Sequence, residues 1–228
     1  MTESTEPGHA LAIVAHPDDI EFSAGGTVAG WVARGWKMHL CVVTDGEHGT
    51  YSLPADRRAE QLASADTLGI TRVHFLGMDD SQVEPTLELR ATVSELIRSV
   101  RPRRVLTHSP KYAWVFPPAS HPDHRAVGAV AVDAVYPGAR IPGSSGGALS
   151  EPWSVSELWL FGDPEANHFE DVTNYMPGKL AALRCHYSQR TGGSETETGL
   201  RERMAAAAQS AGMPTGRLAE RFQILAYP

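Results

Sequence analysis

Two short strings in this chain set imidazoles beside carboxylates in the way a metal ion and a proton carrier require. AHPDD, from Ala15 to Asp19, brings His16, Asp18 and Asp19 to the end of the apolar run LAIVA. HPDH supplies His121, Asp123 and His124 much later, after the apolar pair Val105 and Leu106 and before the helix-compatible stretch Ala126 to Val135. Either string alone is ordinary turn chemistry, because Pro favours turns and Asp caps helices. Two of them at two strand ends are hard to obtain that way, and they indicate one shared metal site. Neighbouring side chains on an extended segment point in different directions, so Asp18 and Asp19 divide into one ligand and one group that handles protons. Pro122 suits the first helical position, which makes His121 the cap of a helix and sets His121 and His124 on one helical face. Asp123 between them either tunes His121 or favours the helix N-terminus electrostatically.

The elements that must carry these groups alternate along the chain. Apolar runs read as strands at Leu11 to Ala15, Met38 to Thr44, Val73 to Leu76, Arg104 to Thr107 and Leu158 to Phe161. Helix-patterned segments lie near Gly26 to Arg34, Pro54 to Leu68, Leu87 to Val100 and His121 to Tyr136, with two more near Pro177 to Gln189 and Leu200 to Ala211. The alternation predicts an α/β fold, a doubly wound, mostly parallel sheet flanked by helices, with its ligand crevice at the carboxyl ends of the strands. A single domain over residues 1–228 is expected, flexible through residue 9. The Gly-, Ser- and Pro-rich segment 137–152 reads as a mobile loop placed to cover the site. Gly25 and Gly26 lack the full GxGxxG pattern and read as close helix packing.

Composition narrows the function classes. The 228 residues are 42% hydrophobic, enough to bury a sizeable core. A formal charge of -7 with no Lys/Arg run disfavours nucleic acid, which is bound by clustered positive charge. No apolar stretch is long enough to span a bilayer, and the polar, acidic MTESTEPGHA has no signal-peptide character. Cys41 and Cys185 read as buried thiols in a cytoplasmic protein. His39, His74, His108 and His168 lack ligand spacing and read as structural.

AHPDDIEFSAGGT, TDGEHGT, the RRAE element at Arg57 to Glu60 with LG following, HPDHR, and CHYSQ at Cys185 to Gln189 together resemble the PIG-L/LmbE family of zinc-dependent N-deacetylases, from Leu11 to at least Gln189. The resemblance implies a Rossmann-like fold and hydrolysis of the N-acyl group of an N-acetylglucosamine-type amino sugar or glycoconjugate. It implies one Zn²⁺ per chain, with other divalent transition metals as substitutes, held by His16, Asp19 and His124. It makes Asp18 the general base and His121, protonated, the group that stabilises the transition state and protonates the amine. Two imidazoles and one carboxylate also fit a hydrolytic zinc that keeps an open position. Substrate contacts implied are Arg57, with Arg58 as the alternative register, together with Glu47, Asp123 and His186. For Glu47 a loop-bracing role is equally open, and for Arg57 a solvated helix surface. Some family members carry a tyrosine two residues before HPDH, where this chain has Ala119, which leaves the acyl oxygen to His121, Tyr112 or another residue.

Three other readings compete. His16 and Asp18 also spell HxD, the start of a non-haem iron oxygenase triad, although those enzymes use all-β barrels. A metal-bearing sugar-binding protein without turnover would not need a base beside the metal. Amidase action on a thiol conjugate differs from deacetylation only in the pocket. The partner in each sugar reading is a small molecule, and a homo-oligomer is compatible with all of them.

Overall fold

The computed structural model describes residues 7–49, 56–114, 117–145, 148–189 and 193–227. Five strands form the parallel part of the sheet: β1 (His9–Val14), β2 (Lys37–Thr44), β3 (Arg72–Met78), β4 (Arg104–His108) and β7 (Glu157–Phe161). β5 (Gly143–Ser145) and β6 (Ala148–Ser150) make a separate hairpin, while β8 (His168–Asp171) and β9 (Ala219–Ala226) extend the main sheet antiparallel. The order is β3-β2-β1-β4-β7-β9-β8. The chain steps outward from β1 to β3, then returns to lay β4 on the other side of β1, so the winding reverses between β1 and β4. Ligands bind outside the carboxyl ends of strands at such a reversal, and both His/Asp strings sit there.

The helices are α1 (Asp19–Ala33), α2 (Arg57–Leu68), α3 (Leu87–Val100), α4 (Pro122–Val135), α5 (Met176–Arg184) and α6 (Ser194–Ser210). Local chemistry starts and stops them. Asp56 accepts from Ala59 N at the head of α2, and Thr86 accepts from Leu89 N at the head of α3. Gly69 closes α2 at φ 72, where a Cβ would be strained. One face of the sheet buries Leu11, Ile13, Cys41 and Val105 against α3 and α4, and the other buries Ala12, Leu40, Val42 and Leu106 against Ile20, Val28 and Trp31 of α1. Burial on both faces is why these strands read as unbroken apolar runs.

Four expectations need correcting. β1 begins at His9, so the chain is ordered before residue 10, and residues 1–6 lie outside the described residues. The Gly-rich stretch after AHPDD is helical from Asp19 onward, with one non-helical residue, Ala24, inside α1. The two antiparallel strands β8 and β9 were not anticipated, because HFED and AERFQILA carry too few consecutive apolar residues. The segment 137–152 holds a 3-10 turn at Gly138–Arg140 and the β5-β6 hairpin, and Arg98 of α3 braces it through Gly138 O, Ile141 O and Ser150 Oγ. It starts at the far end of α4, about 21 Å along that helix from His121 at 1.5 Å per residue.

Candidate metal centre

His16 follows the end of β1, and Asp19 is the first residue of α1. His16 N donates to Asp19 Oδ2 at 2.7 Å, which folds the loop back on itself. Asp18 between them adopts φ 91, a left-handed conformation that a non-glycine residue adopts only when surroundings hold it. Those surroundings are Gln61 Oε1, which accepts from Asp18 N, and Arg57, which donates to both Pro17 O and Asp18 Oδ2. From the other side, His121 caps α4 with Pro122 at the first position, and His124 follows on the first turn. Gly128 lets α4 approach β4, since a Cβ there would overlap His108 O, and the His108 and His124 rings stack at 4.0 Å as a result.

Three side chains converge. His16 Nδ1 lies 3.2 Å from His124 Nε2, His124 Nε2 lies 3.1 Å from Asp19 Oδ1, and His16 Nδ1 lies 3.5 Å from Asp19 Oδ2. A tetrahedral ion with bonds of about 2.0–2.1 Å sets its ligand atoms about 3.3 Å apart, so this spacing fits a zinc-sized cation. Three overlapping groups of possible ligands lie here: His16, His121 and His124; Asp19, His108 and His124; His16, Asp80 and Asp123. The site's charge asks for a cation as well. Burial disfavours charge on His16, yet Asp19, Asp80 and Asp123 outweigh it and hold the imidazole's pKa at about 9. Burial pushes Asp19 up, but His124 and His108 hold it well below the usual carboxylate range.

The neighbouring shell orients these donors. His16 Nε2, on the ring edge away from His124, lies 3.1 Å from both Asp80 Oδ1 and Asp123 Oδ2. A carboxylate behind a metal-facing imidazole fixes its tautomer and ring plane. Asp123 is fully buried and also accepts from Ser81 N and Val83 N, so its place is behind His16 and not on a substrate surface. His108, which burial lowers to about 4, is neutral; its Nε2 accepts from Ala15 N at 3.3 Å and also lies 3.1 Å from Asp19 Oδ2. His16 N donates to Oδ2, and Asp19 Oδ1 faces His124.

Asp18 and His121 face the same space with different chemistry. Burial and the Asp19 charge push Asp18 up to about 7, against the pull of Arg57. His121 Nδ1 accepts from Asp123 N at 3.3 Å, which assigns its ring proton to Nε2. Burial and the neighbouring His16 and His124 lower its pKa further. Both observations favour a neutral ring whose Nε2–H is a hydrogen-bond donor over the protonated form expected for His121.

The other expected substrate contacts are braces in this structure. Arg57 binds Gly46 O and Pro17 O besides Asp18, and Gly46, at φ 65, has no room for a Cβ beside the guanidinium. Glu47 accepts from Asp80 N, which is the loop-bracing alternative. His186 is fully buried with its Nε2 3.5 Å from Glu21 Oε2, and that carboxylate's other oxygen accepts from Gln61 and Ser64. Glu60 of the RRAE element accepts from both N and Oγ of Ser188 in HYSQ, so these two strings are joined. Sequence reading missed His108 and Asp80. The signal available was position, since His108 ends β4 at the reversal and Asp80 follows β3.

Residues 11–135 match the protein family described as GlcNAc-PI de-N-acetylase, PIG-L. The chain is 32% identical over 189 residues to a diacetylchitobiose deacetylase of Thermococcus kodakarensis, across 78% of this chain and 69% of that one. It is 28% identical over 201 residues to a 4-oxalmesaconate hydratase of Pseudomonas putida, across 82% and 76%. An N,N'-diacetylchitobiose deacetylase of Pyrococcus horikoshii has a similar structure, with TM-score 0.83 and 27% identity over 96% of this chain and 84% of that one.

Proposed function

The chain belongs to the PIG-L family, and from that premise we propose that it is a zinc-dependent hydrolase that removes the N-acetyl group from an N-acetylglucosamine-type amino sugar or glycoconjugate. The observation that carries this reading is the convergence of His16 Nδ1, His124 Nε2 and the Asp19 carboxylate beside a separate carboxylate, Asp18. A bound Zn²⁺ would lower the pKa of water to about 7 and add positive charge at the acyl oxygen. Asp18 takes the proton as water oxygen bonds to the acyl carbon. Its raised basicity suits that task near neutral pH. His121 Nε2–H donates to the acyl oxygen as negative charge grows there. With His121 Nδ1 engaged, Asp18 is the group that returns the proton to the nitrogen as the C–N bond breaks, releasing acetate and the amine. Zinc over other divalent metals is part of the proposal and rests on the mixed imidazole and carboxylate donors.

Arg57 and Arg125, the arginines beside the crevice, both donate to backbone carbonyls. That commitment suits a neutral sugar better than the unsaturated tricarboxylate suggested by the hydratase relative. The iron oxygenase reading loses its ground in a parallel sheet flanked by helices. Cytoplasmic placement belongs to the same proposal: Cys41 and Cys185 are free thiols, the second only half-buried, and no described helix is long and apolar enough to cross a membrane. The test is a panel of N-acetylglucosamine, its oligosaccharides, glucosaminyl-inositol conjugates, glycosylated antibiotics, a thiol conjugate and 4-oxalmesaconate. Acetate release from the acetylated sugars is expected. Hydration of 4-oxalmesaconate with no acetate release from any sugar contradicts the reading.

A further inference from the structure

An aromatic pair stands in solvent near the end of α4 that carries His121 and His124. Trp114 is 79% exposed and Tyr112 39%, whereas Trp31, Trp36 and Trp159 are buried. The Tyr112 and Trp114 rings lie 4.2 Å apart at 41°. Neither ring belongs to a buried apolar cluster among the described residues. The pair is nevertheless tied down. Arg125 sits over the Tyr112 ring at 5.5 Å and donates to Ser120 O, and Ser120 Oγ accepts from Ala113 N at 2.7 Å. Ser120 immediately precedes His121, and Arg125 immediately follows His124, so the segment bearing the pair is anchored to both sides of the His string.

Exposed, mutually stacked aromatic faces fixed beside a crevice match one kind of ligand surface well. The face of a pyranose presents C–H groups made slightly positive by neighbouring oxygens, and the face of an aromatic ring is negative. The sugar that undergoes reaction must place its acetamido carbon at the converging donor atoms, and the platform is tied through Ser120 and Arg125 to the segment that carries His121 and His124. We propose that Trp114 and Tyr112 form a stacking subsite for a second, uncharged pyranose ring, which makes the protein selective for N-acetylglucosamine carried in a disaccharide or longer glycoconjugate. This rests on the amino-sugar reading above.

The test compares kcat/KM for N-acetylglucosamine and N,N'-diacetylchitobiose in the wild type, Trp114→Ala, Trp114→Phe and Tyr112→Ala, with metal content measured for each. Trp114→Ala should lower kcat/KM on the disaccharide roughly tenfold through KM, the size expected of an aromatic stacking contact, and leave the monosaccharide unchanged. Trp114→Phe should recover most of the loss. Tryptophan emission supplies a readout independent of turnover: diacetylchitobiose should perturb it in the wild type and not in Trp114→Ala. An emission change without acetate release from any sugar keeps the subsite and removes the deacetylase reading. Acetate release with the same ratio between the two sugars in Trp114→Ala and wild type overturns the subsite, as does a changed oligomeric state in Trp114→Ala with unchanged sugar preference.

Discussion

Two buried polar clusters lie on either side of α1, and they are built on opposite principles. Lys179 of α5 and Glu220 of β9 form a pair with almost no solvent exposure. Lys179 Nζ donates to Glu220 Oε1 and Phe22 O, and Gly26 N, Thr27 N and Thr27 Oγ1 supply the remaining donors to the two carboxylate oxygens. Donors and acceptors match, so this cluster is complete without any ligand. At the strand ends, His16, Asp19 and His124 instead bring nitrogens and oxygens within 3.1–3.5 Å of one another, a spacing at which lone pairs repel unless a proton or a cation lies between them. Burial of charge alone therefore does not mark a functional site. The mark is convergence of acceptors with too few hydrogens among them.

Mutations should separate the two clusters cleanly. His124→Ala removes a converging donor, and the folded protein should lose both its metal and its activity, the latter by roughly a thousandfold or more. Zinc analysis on the purified variant checks this, and full occupancy would remove His124 from the ligand set. Lys179→Met strands a buried carboxylate and should cost about 3–5 kcal/mol of stability while leaving metal affinity of the folded protein intact. Denaturant unfolding followed by zinc titration tests that split, and Lys179→Met with Glu220→Gln should recover part of the loss. A weakened zinc affinity in folded Lys179→Met would mean that the two clusters are coupled.

A smaller effect should sharpen the contrast inside the metal cluster. Asp18 works as a base only when ionised, so activity is present above its pKa and falls as pH drops through it. Removing the Arg57 charge takes away the contact that favours the ionised form, so the acid limb of kcat/KM in Arg57→Gln should move up by about one pH unit, with Arg57→Lys closer to wild type. An unmoved limb would show that another group sets it.

Much of the metal cluster was legible in the sequence and little of the Lys179 cluster was. AHPDD and HPDH announce themselves because each packs His and Asp into a few residues, the first at the end of the unbroken apolar run of β1 and the second at the head of α4. The Gly25–Gly26 pair also read correctly as close packing, since a Cβ on Gly26 would overlap Val172 and one on Gly25 would press Lys179. Asp80, His108 and the Lys179–Glu220 pair were invisible because each meets its partner through the winding of the sheet, with no local spacing to signal it. Arg57, Glu47, Asp123 and His186 were placed in the right neighbourhood, and in this structure their polar atoms turn to neighbouring protein groups. Sequence shows that a polar residue is near a site, but only the direction of its hydrogen bonds shows whether it faces the crevice or braces the wall.

The division of labour between the two adjacent aspartates is the claim on which the account stands, and zinc stoichiometry of Asp18→Asn and Asp19→Asn, measured beside kcat, tests it most directly. Asparagine tolerates the left-handed backbone at residue 18, so the first variant isolates the lost base. Asp18→Asn should bind zinc as the wild type does and lose roughly a hundredfold or more in kcat, whereas Asp19→Asn should lose zinc first and activity with it. Zinc loss in Asp18→Asn with retention in Asp19→Asn would contradict the assignment and make His16 and Asp18 the ligand pair.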